Sequence, residues 1–278
     1  MKKGLRLLSL VFGSALVLAA CGSEGNETTS EGTENEQFVV GMEAAYAPYN
    51  WTQTGDANGA VQISDSQEYA GGYDVEIAKK IADGLGQELV IVKTEWDGLV
   101  PALQSKKIDV IIAGMSHTEE RKQTIDFSIP YLESQLVMVV AADGDYVDAT
   151  SLADFSGAQI TAQLNTFHYN MIDQIEGVEK QSAMENFSAM RVALQSGVID
   201  GYVSELPEAI SASNANEDFT YIEFEDGFET NPEDTTIAIG VRKDEAQLEE
   251  INSILATISA EEQQSLMEEA ILNQPAAQ

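Results

Sequence analysis

The sequence predicts an α/β protein made of two similar lobes, and three observations carry this prediction. From residue 37 onward, short β-branched runs alternate with helical patterns, an order typical of parallel sheets covered by helices. An eight-residue segment at 102–109 recurs at 193–200 with six identities. Hydrophobic residues form 44% of the 278-residue chain, which suffices for the core of one large domain or two medium ones.

The predicted elements of the first half alternate in type. In the first helix, Ile77, Ile81 and Leu85 recur at four-residue spacing, which places an apolar stripe on one helix face. The elements in chain order are a strand at 37–42, a helix at 73–85, a strand at 89–92, a helix at 97–105 with Asp97 as its N-cap, and a strand at 109–113.

The repeat predicts the division into lobes, because each copy ends a helix and leads into an apolar strand. Chance reuse of a common helix-to-strand turn is the alternative explanation. With two lobes, the run 135–142 carries the chain into the second lobe and the run 235–241 carries it back. Ligands of open parallel sheets bind beyond the carboxyl ends of strands. We therefore expect the loops at 113–116 and 204–207 to line one cleft.

The N-terminal segment is typical of a secreted, lipid-anchored protein. Residues 1–20 have a basic start and an apolar stretch that is shorter than the ~20 residues needed to span a bilayer. Cys21 follows Leu-Ala-Ala and resembles the bacterial lipobox, in which the thiol receives a lipid such as palmitate; a cysteine beside an ordinary cleavage site is the alternative. Residues 22–36 lack apolar side chains, so 21–36 is predicted to be a disordered tether. The predicted location is the extracytoplasmic face of the cell membrane.

Charge and cysteine content exclude several functions. The chain has 47 acidic and 14 basic residues, for a formal net charge of −33. Nucleic acid and anionic lipid surfaces require clustered lysine and arginine, so neither is an expected partner. A single cysteine rules out an intramolecular disulfide and a cysteine-based metal site.

Two residues at the expected cleft have opposite charges. Arg121 lies in the first turn of a helix that Thr118 can cap, where a guanidinium and free amides suit a carboxylate; pairing with a local glutamate is the alternative. Glu205 ends an apolar strand, and an ammonium ligand would pair its buried charge; a place at the N-cap of the next helix is the alternative. Together they describe a clamp for an α-amino acid zwitterion. Tyr46, Tyr49 and Trp96 are candidates for apolar walls or for core packing.

The chain resembles family 3 of the bacterial extracellular solute-binding proteins, the amino-acid-binding components of ABC importers. This resemblance implies a type II periplasmic-binding-protein fold: two Rossmann-like lobes joined by a two-strand hinge, with lobe 1 at 37–138, lobe 2 at 139–234 and a return to lobe 1 at 235–278. It also implies a monomer that meets a permease, uses no cofactor and is not an enzyme. The blocks that carry it are 43–49 (EAAYAPY), 72–78 (GYDVEIA), 96–103 (WDGLVPAL), 114–122 (GMSHTEERK) and 126–131 (DFSIPY).

The resemblance also implies roles for individual residues. Trp96 and Tyr46 stack on the ligand side chain, Gly114 and Ser116 contact its ammonium and carboxylate groups, and Arg121 binds the carboxylate. Glu43 reaches the distal end of the side chain. All six residues lie within the blocks that carry the resemblance.

Three features depart from the family pattern. The second-lobe turn reads Asn165-Thr166-Phe167, so a hydroxyl expected at Phe167 is missing and backbone amides must serve there. Glu205 replaces the usual aspartate. Residues 52–70 form a polar, glycine-rich insertion that is predicted to act as a lid or a partner surface.

Glu43 guides the choice of ligand, because a distal carboxylate favours a cationic side chain. The predicted ligands are lysine, arginine, ornithine and histidine, with glutamine as the alternative. Two other functions on the same scaffold stay open: a dehydratase-like enzyme, for which His117 and His168 are the available histidines, or a sensory lipoprotein.

Overall fold

The computed structural model describes residues 36–275. The predicted signal segment, Cys21 and all but the last residue of the tether lie outside this range. Among the described residues, no helix is both long and apolar enough to cross a bilayer. The strands are β1 Gln37–Met42, β2 Ala45–Tyr46, β3 Asn50–Gln53, β4 Val61–Gln62, β5 Tyr69–Gly71, β6 Glu88–Lys93, β7 Val110–Ile111, β8 Asp126–Glu133, β9 Leu136–Ala141, β10 Gln159–Thr161, β11 Glu179–Lys180, β12 Gly201–Glu205, β13 Phe219–Ile222 and β14 Thr236–Val241. The α-helices are α1 Tyr73–Leu85, α2 Trp96–Gln104, α3 Glu119–Lys122, α4 Phe167–Met171, α5 Phe187–Gln195, α6 Leu206–Ala215, α7 Leu248–Leu255 and α8 Ala260–Asn273.

Two five-stranded sheets define the two lobes. The first has the order β6-β1-β7-β14-β8 and the second the order β11-β10-β12-β9-β13. In each sheet three parallel strands are followed by one antiparallel strand, which is β14 in the first and β9 in the second. The predicted α/β class with two lobes is therefore what the structure has.

The sequence repeat corresponds to the same local structure in both lobes. In the first lobe, the backbone N–H of Val39 donates to the Asp109 carboxylate at 3.0 Å, and the N–H of Asp109 donates back to the Val39 carbonyl. In the second lobe, Gln159 and Asp200 exchange the same two bonds, with 2.8 Å to the carboxylate. Each aspartate thus fastens its strand to a neighbouring parallel strand, so the repeat is structural.

The chain crosses between the lobes twice. β8 ends at Glu133 in the first sheet and β9 begins at Leu136 in the second. The first crossing therefore lies at residues 134–135, because β9 belongs to the second sheet along its whole length; the boundary expected at 138 falls inside this strand. The second crossing precedes β14. The N–H of Ser134 donates to the carbonyl of Thr235 at 2.9 Å, so the two crossings are bonded to each other.

Local details differ from the prediction at α2 and at the insertion. α2 begins at Trp96, and Glu95 rather than Asp97 occupies the N-cap position; the expected Asp97 cap is wrong. Residues 52–70 contribute to a separate antiparallel sheet with the order β2-β3-β5-β4. Ile63 in this segment is buried and bridges to Ile91 of β6. The insertion therefore lies against β6, the strand at the outer edge of the first sheet.

The C-terminal helix contacts both lobes. Glu262 on α8 forms an ion pair with Lys80 on α1 at 2.5 Å. Just beyond the end of α8, the side-chain amide of Gln274 donates to the carbonyl of Ser211 on α6 at 3.0 Å. Because α1 belongs to the first lobe and α6 to the second, α8 links the two lobes.

Candidate functional site

The loops that follow the parallel strands of the two lobes meet each other. Counted from the repeat aspartates, Gly114 lies five residues after Asp109 and Glu205 five residues after Asp200. Gly114 follows the central strand β7 and Glu205 ends the central strand β12, at the edge where ligands of open α/β sheets bind. Across the cleft, Tyr46 contacts Glu205, and Trp96 and Arg121 contact Asn165.

Arg121 is held at the cleft by four groups. The hydroxyl of Thr118 accepts a bond from the Arg121 backbone N–H at 3.3 Å, as the predicted cap requires. The guanidinium donates to the Ser116 carbonyl at 2.8 Å and to the Asn165 carbonyl of the second lobe at 3.5 Å. It also lies 5.1 Å from the centroid of the Trp96 ring, a cation–π distance. Burial lowers the pKa of Arg121 to about 10, so the guanidinium stays charged at neutral pH.

The Gly114–Ser116 loop is fixed from two sides. Gly114 has a φ of 60°, and a Cβ at this position would lie 2.8 Å from the Tyr46 ring, so only glycine fits. Ser116 is buried and bridges to Ile237 of β14. The loop predicted to contact the ligand is therefore rigidly held beside Arg121.

A buried carboxylate supports this loop from behind. Asp74 is fully buried and accepts bonds at 2.7 Å from the Asn50 amide and the Tyr131 hydroxyl. It also accepts a bond from the Gly114 backbone N–H. Burial raises the pKa of Asp74 to about 6, although these bonds oppose the rise. Asp74 thus positions Gly114 without lying in the cleft.

The second-lobe turn reaches across the cleft through Asn165. This residue has a φ of 55°, a conformation that asparagine tolerates better than most residues. Its carbonyl accepts a bond from the Trp96 indole N–H at 3.4 Å, and its side-chain amide donates to the Asp97 carboxylate at 2.8 Å. The hydroxyl of Thr166 donates within the turn to the Gln163 carbonyl at 2.7 Å. Phe167 begins α4 and offers no hydroxyl.

Glu205 is buried at the end of β12, with 1% of its surface exposed. It occupies the N-cap position of α6, but its side chain makes no capping bond. One carboxylate oxygen, Oε2, accepts a bond from the Tyr46 hydroxyl of the first lobe. The other, Oε1, has no hydrogen-bond partner among residues 36–275. The side chain therefore contacts the first lobe, with one acceptor satisfied and one available.

Tyr46 lies between two other rings. Its ring stacks on that of Phe187 of α5, with 4.3 Å between the centroids, and contacts the ring of Tyr49 at 4.6 Å with the planes tilted by 32°. Both neighbours are buried with it. The stacking of Tyr46 on a ligand side chain stays a prediction, and it requires that Phe187 or Tyr49 moves away from the Tyr46 ring.

Glu43 lies at the far side of the cleft with 3% of its surface exposed. The Gln163 amide of the second lobe donates to its carboxylate at 3.2 Å. Burial raises the pKa of Glu43 to about 7; the charges of Glu95 and Asp97 raise it further, while the bond from Gln163 opposes the rise. Glu95 and Asp97 therefore add negative charge at this side of the cleft, and Lys93 partly offsets it.

Two cavities open beside Arg121. One of about 270 Å³ is lined by residues that include Trp96, Met115, Arg121 and Asn165. The other, of about 780 Å³, is lined by residues that include Arg121, Asn165 and Phe167. Arg121 and Asn165 line both, so the guanidinium separates a smaller space beside Trp96 from a wider groove at the mouth of the cleft.

Sequence reasoning missed Gln163 and Phe187, and it considered His168 only as a candidate base. The structure matches Gln159 with Val39 through their bonds to Asp200 and Asp109, and Gln163 lies four residues after Gln159 as Glu43 lies four residues after Val39; the repeat alone does not reach these strands. His117, the other candidate base, bonds to Thr236 of β14 at 3.2 Å. No sequence signal identifies Phe187 as the partner of Tyr46.

Known proteins resemble the chain over most of its length. The model of the bacterial extracellular solute-binding proteins, family 3, matches residues 38–273. A probable histidine-binding protein of Campylobacter jejuni is 30% identical over 222 residues, covering 76% of this chain and 80% of that relative. ABC transporter arginine-binding protein 1 of Escherichia coli is 26% identical over 229 residues, covering 81% and 86%. The crystal structure of an amino acid ABC transporter substrate-binding protein from Streptococcus pneumoniae bound to L-arginine superposes with a TM-score of 0.74 at 28% identity, covering 85% of this chain and 94% of that one. This likeness confirms the predicted type II periplasmic-binding-protein fold.

Proposed function

The chain belongs to the bacterial extracellular solute-binding proteins of family 3, and from that premise we propose that it binds a cationic L-amino acid between its lobes and delivers it to the permease of an ABC importer. Arginine, lysine, ornithine and histidine are the proposed ligands. The relatives that are described as histidine-binding and arginine-binding, and the neighbour bound to L-arginine, support a ligand of this class.

One observation carries the choice of a cationic ligand, and it is the burial of Glu43. A carboxylate with 3% exposure loses most of its hydration, and the single amide of Gln163 does not replace it. A guanidinium, ammonium or imidazolium group would supply the missing donors and the opposite charge. Glu95 and Asp97 add negative potential at the same place. An anionic side chain would meet repulsion from all three groups.

The two poles of the amino acid would be held by opposite lobes. We assign the carboxylate to the guanidinium of Arg121 and the amides of the Gly114–Ser116 loop, with the Thr166–Phe167 amides adding donors from the second lobe. We assign the ammonium to Glu205, whose Oε1 lacks a partner among the described residues. Trp96 would cover the aliphatic part of the side chain, since its ring already stacks with Arg121.

Binding would favour the closed arrangement of the lobes. A ligand shifts a conformational equilibrium only by its different affinity for the two states. A molecule that touches Arg121 in the first lobe and Glu205 in the second makes both contacts only when the lobes are closed. The Asn165–Asp97 and Gln163–Glu43 bonds also cross the cleft, so they add to the same closed state.

Isothermal titration of residues 36–278 against the twenty standard amino acids and ornithine tests the proposal. We expect saturable binding of one or more of arginine, lysine, ornithine and histidine, and weaker or no binding of glutamate and leucine. Tight glutamate or leucine binding would contradict it. A preference for glutamine would support the binding of the ammonium and carboxylate groups and would contradict a cationic side chain. Chemical conversion of the ligand during long incubation, measured by mass spectrometry, would instead reveal an enzyme.

We further propose that the protein is a monomer tethered to the extracytoplasmic face of the membrane by a lipid on Cys21. The support is the lipobox-like sequence that precedes Cys21 and the polar segment that follows it. Mass spectrometry of the mature N-terminal peptide should find a diacylglyceryl group on Cys21. An unmodified thiol, or retention of residues 1–20, would contradict the anchor.

A further inference from the structure

His168 is a buried polar side chain beside Glu205 to which the proposed function gives no role. It lies in the first turn of α4 with 6% of its surface exposed. Neither ring nitrogen has a hydrogen-bond partner among residues 36–275. Leaving two such groups buried and unpaired costs free energy, so the position calls for a partner from outside the described residues.

The imidazole faces the one available oxygen of Glu205. Its Nε2 atom lies 3.6 Å from Glu205 Oε1, which also lacks a partner within the described range. This separation is too long for a hydrogen bond between the two. The other oxygen of Glu205 already accepts the Tyr46 hydroxyl. Oε1 is therefore free to accept, and so is Nε2 in the neutral tautomer that carries its proton on Nδ1.

We propose that His168 and Glu205 together bind the α-ammonium group of the amino acid, with the neutral imidazole as the second acceptor. This inference rests on the proposed function and adds a residue to it. An ammonium nitrogen can stand at an ordinary hydrogen-bond distance of ~2.8–3.0 Å from two acceptors that are 3.6 Å apart. A primary ammonium has three N–H donors, enough for both acceptors and one further group.

Phe167 keeps the imidazole in place for this role. Its ring centroid lies 4.3 Å from that of His168, and α4 packs beside β12, the strand that ends at Glu205. His168 and Glu205 together would therefore select for a ligand with a primary α-amino group. A molecule of the same length without that group would leave both acceptors buried and unpaired, and would bind weakly for that reason.

The test compares two ligands on three proteins. L-arginine and 5-guanidinopentanoate, which is arginine without its α-amino group, are titrated calorimetrically at about pH 8. The proteins are the unaltered chain, His168→Phe, which keeps a ring and removes both nitrogens, and His168→Gln, which keeps an acceptor near the Nε2 position. Thermal unfolding without ligand reports whether each variant folds, and His168→Leu replaces the phenylalanine variant if that one does not.

We expect His168→Phe to weaken L-arginine binding about tenfold, the effect of one hydrogen bond to a charged group, and to leave 5-guanidinopentanoate within about twofold, since that molecule makes no such bond. His168→Gln should recover part of the loss. Equal losses for both ligands, or no loss for L-arginine, would overturn the role of His168 while leaving the proposed function intact. If the unaltered chain binds none of the cationic amino acids, the proposed function fails and this inference fails with it.

Discussion

Replacing Glu43 by glutamine removes the charge that selects the ligand while keeping the size of the side chain. The carboxylate is buried and bonded to Gln163, so a cationic ligand group would meet it away from water. A hydrogen bond to a charged group contributes ~1.5–3 kcal/mol, which corresponds to about a 10- to 100-fold loss of arginine affinity in Glu43→Gln. Glutamine, whose side chain is uncharged, should lose much less.

The same residue predicts how affinity depends on pH. Burial raises the pKa of Glu43 to about 7, so below this pH the free protein carries a proton there. A cationic ligand favours the ionised carboxylate, so binding releases the proton and affinity rises as pH rises through 7. Between about pH 8 and about pH 6 the protonation of Glu43 alone should increase the Kd for arginine about tenfold, and this contribution should be absent in Glu43→Gln.

Calorimetric titration of both proteins with arginine and glutamine at these two pH values measures all of these quantities. The proton release can be read directly by repeating the titration in buffers of different ionisation enthalpy. Equal losses for arginine and glutamine in Glu43→Gln, or the same pH profile in both proteins, would refute the assignment of Glu43 to the ligand side chain.

Three further predictions address the clamp, the closed state and the support of the cleft. Arg121→Ala should weaken amino acid binding by about 10- to 100-fold with an unchanged thermal midpoint, and an unchanged Kd by titration would show that the carboxylate binds elsewhere. Asn165→Gly keeps the left-handed backbone (φ 55°) and removes the bond to Asp97. Stopped-flow measurements should find ligand dissociation about two- to tenfold faster, as for the loss of one exposed hydrogen bond; an unchanged rate would mean that this bond adds nothing to closure. Tyr131→Phe removes a donor from the fully buried Asp74, and should lower the free energy of unfolding in urea by ~1.5–3 kcal/mol; a difference below the fitting error would contradict the supporting role of this bond.

Patterns within short segments predicted most of the architecture. The strand at 37–42 and the helix at 73–85 have the predicted bounds in the structure. In these segments, the apolar residues whose pattern predicted the element are the ones that the structure buries fully or partly. The repeat predicted two lobes, and the bonds of Asp109 and Asp200 explain why it is retained in both. The cap by Thr118 was predictable because its partner lies three residues away.

Contacts that join distant segments were not predictable in the same way. Tyr46 meets Phe187 and Glu205 across more than 140 residues of chain, and sequence spacing carries no information on such pairs. The sheet built around residues 52–70 was also missed, because its strands are short and the segment is polar. The pairing of Gln163 with Glu43 follows from the repeat only once the matching strands are known.

The central claim is that two residues in opposite lobes hold the two poles of one amino acid, and a crystal structure of residues 36–278 grown with L-arginine tests it most directly. We expect carboxylate oxygens within ~3 Å of the Arg121 guanidinium and the α-nitrogen within ~3 Å of the Glu205 carboxylate. A ligand bound outside the cleft, or one reversed so that its side chain meets Glu205, would contradict it.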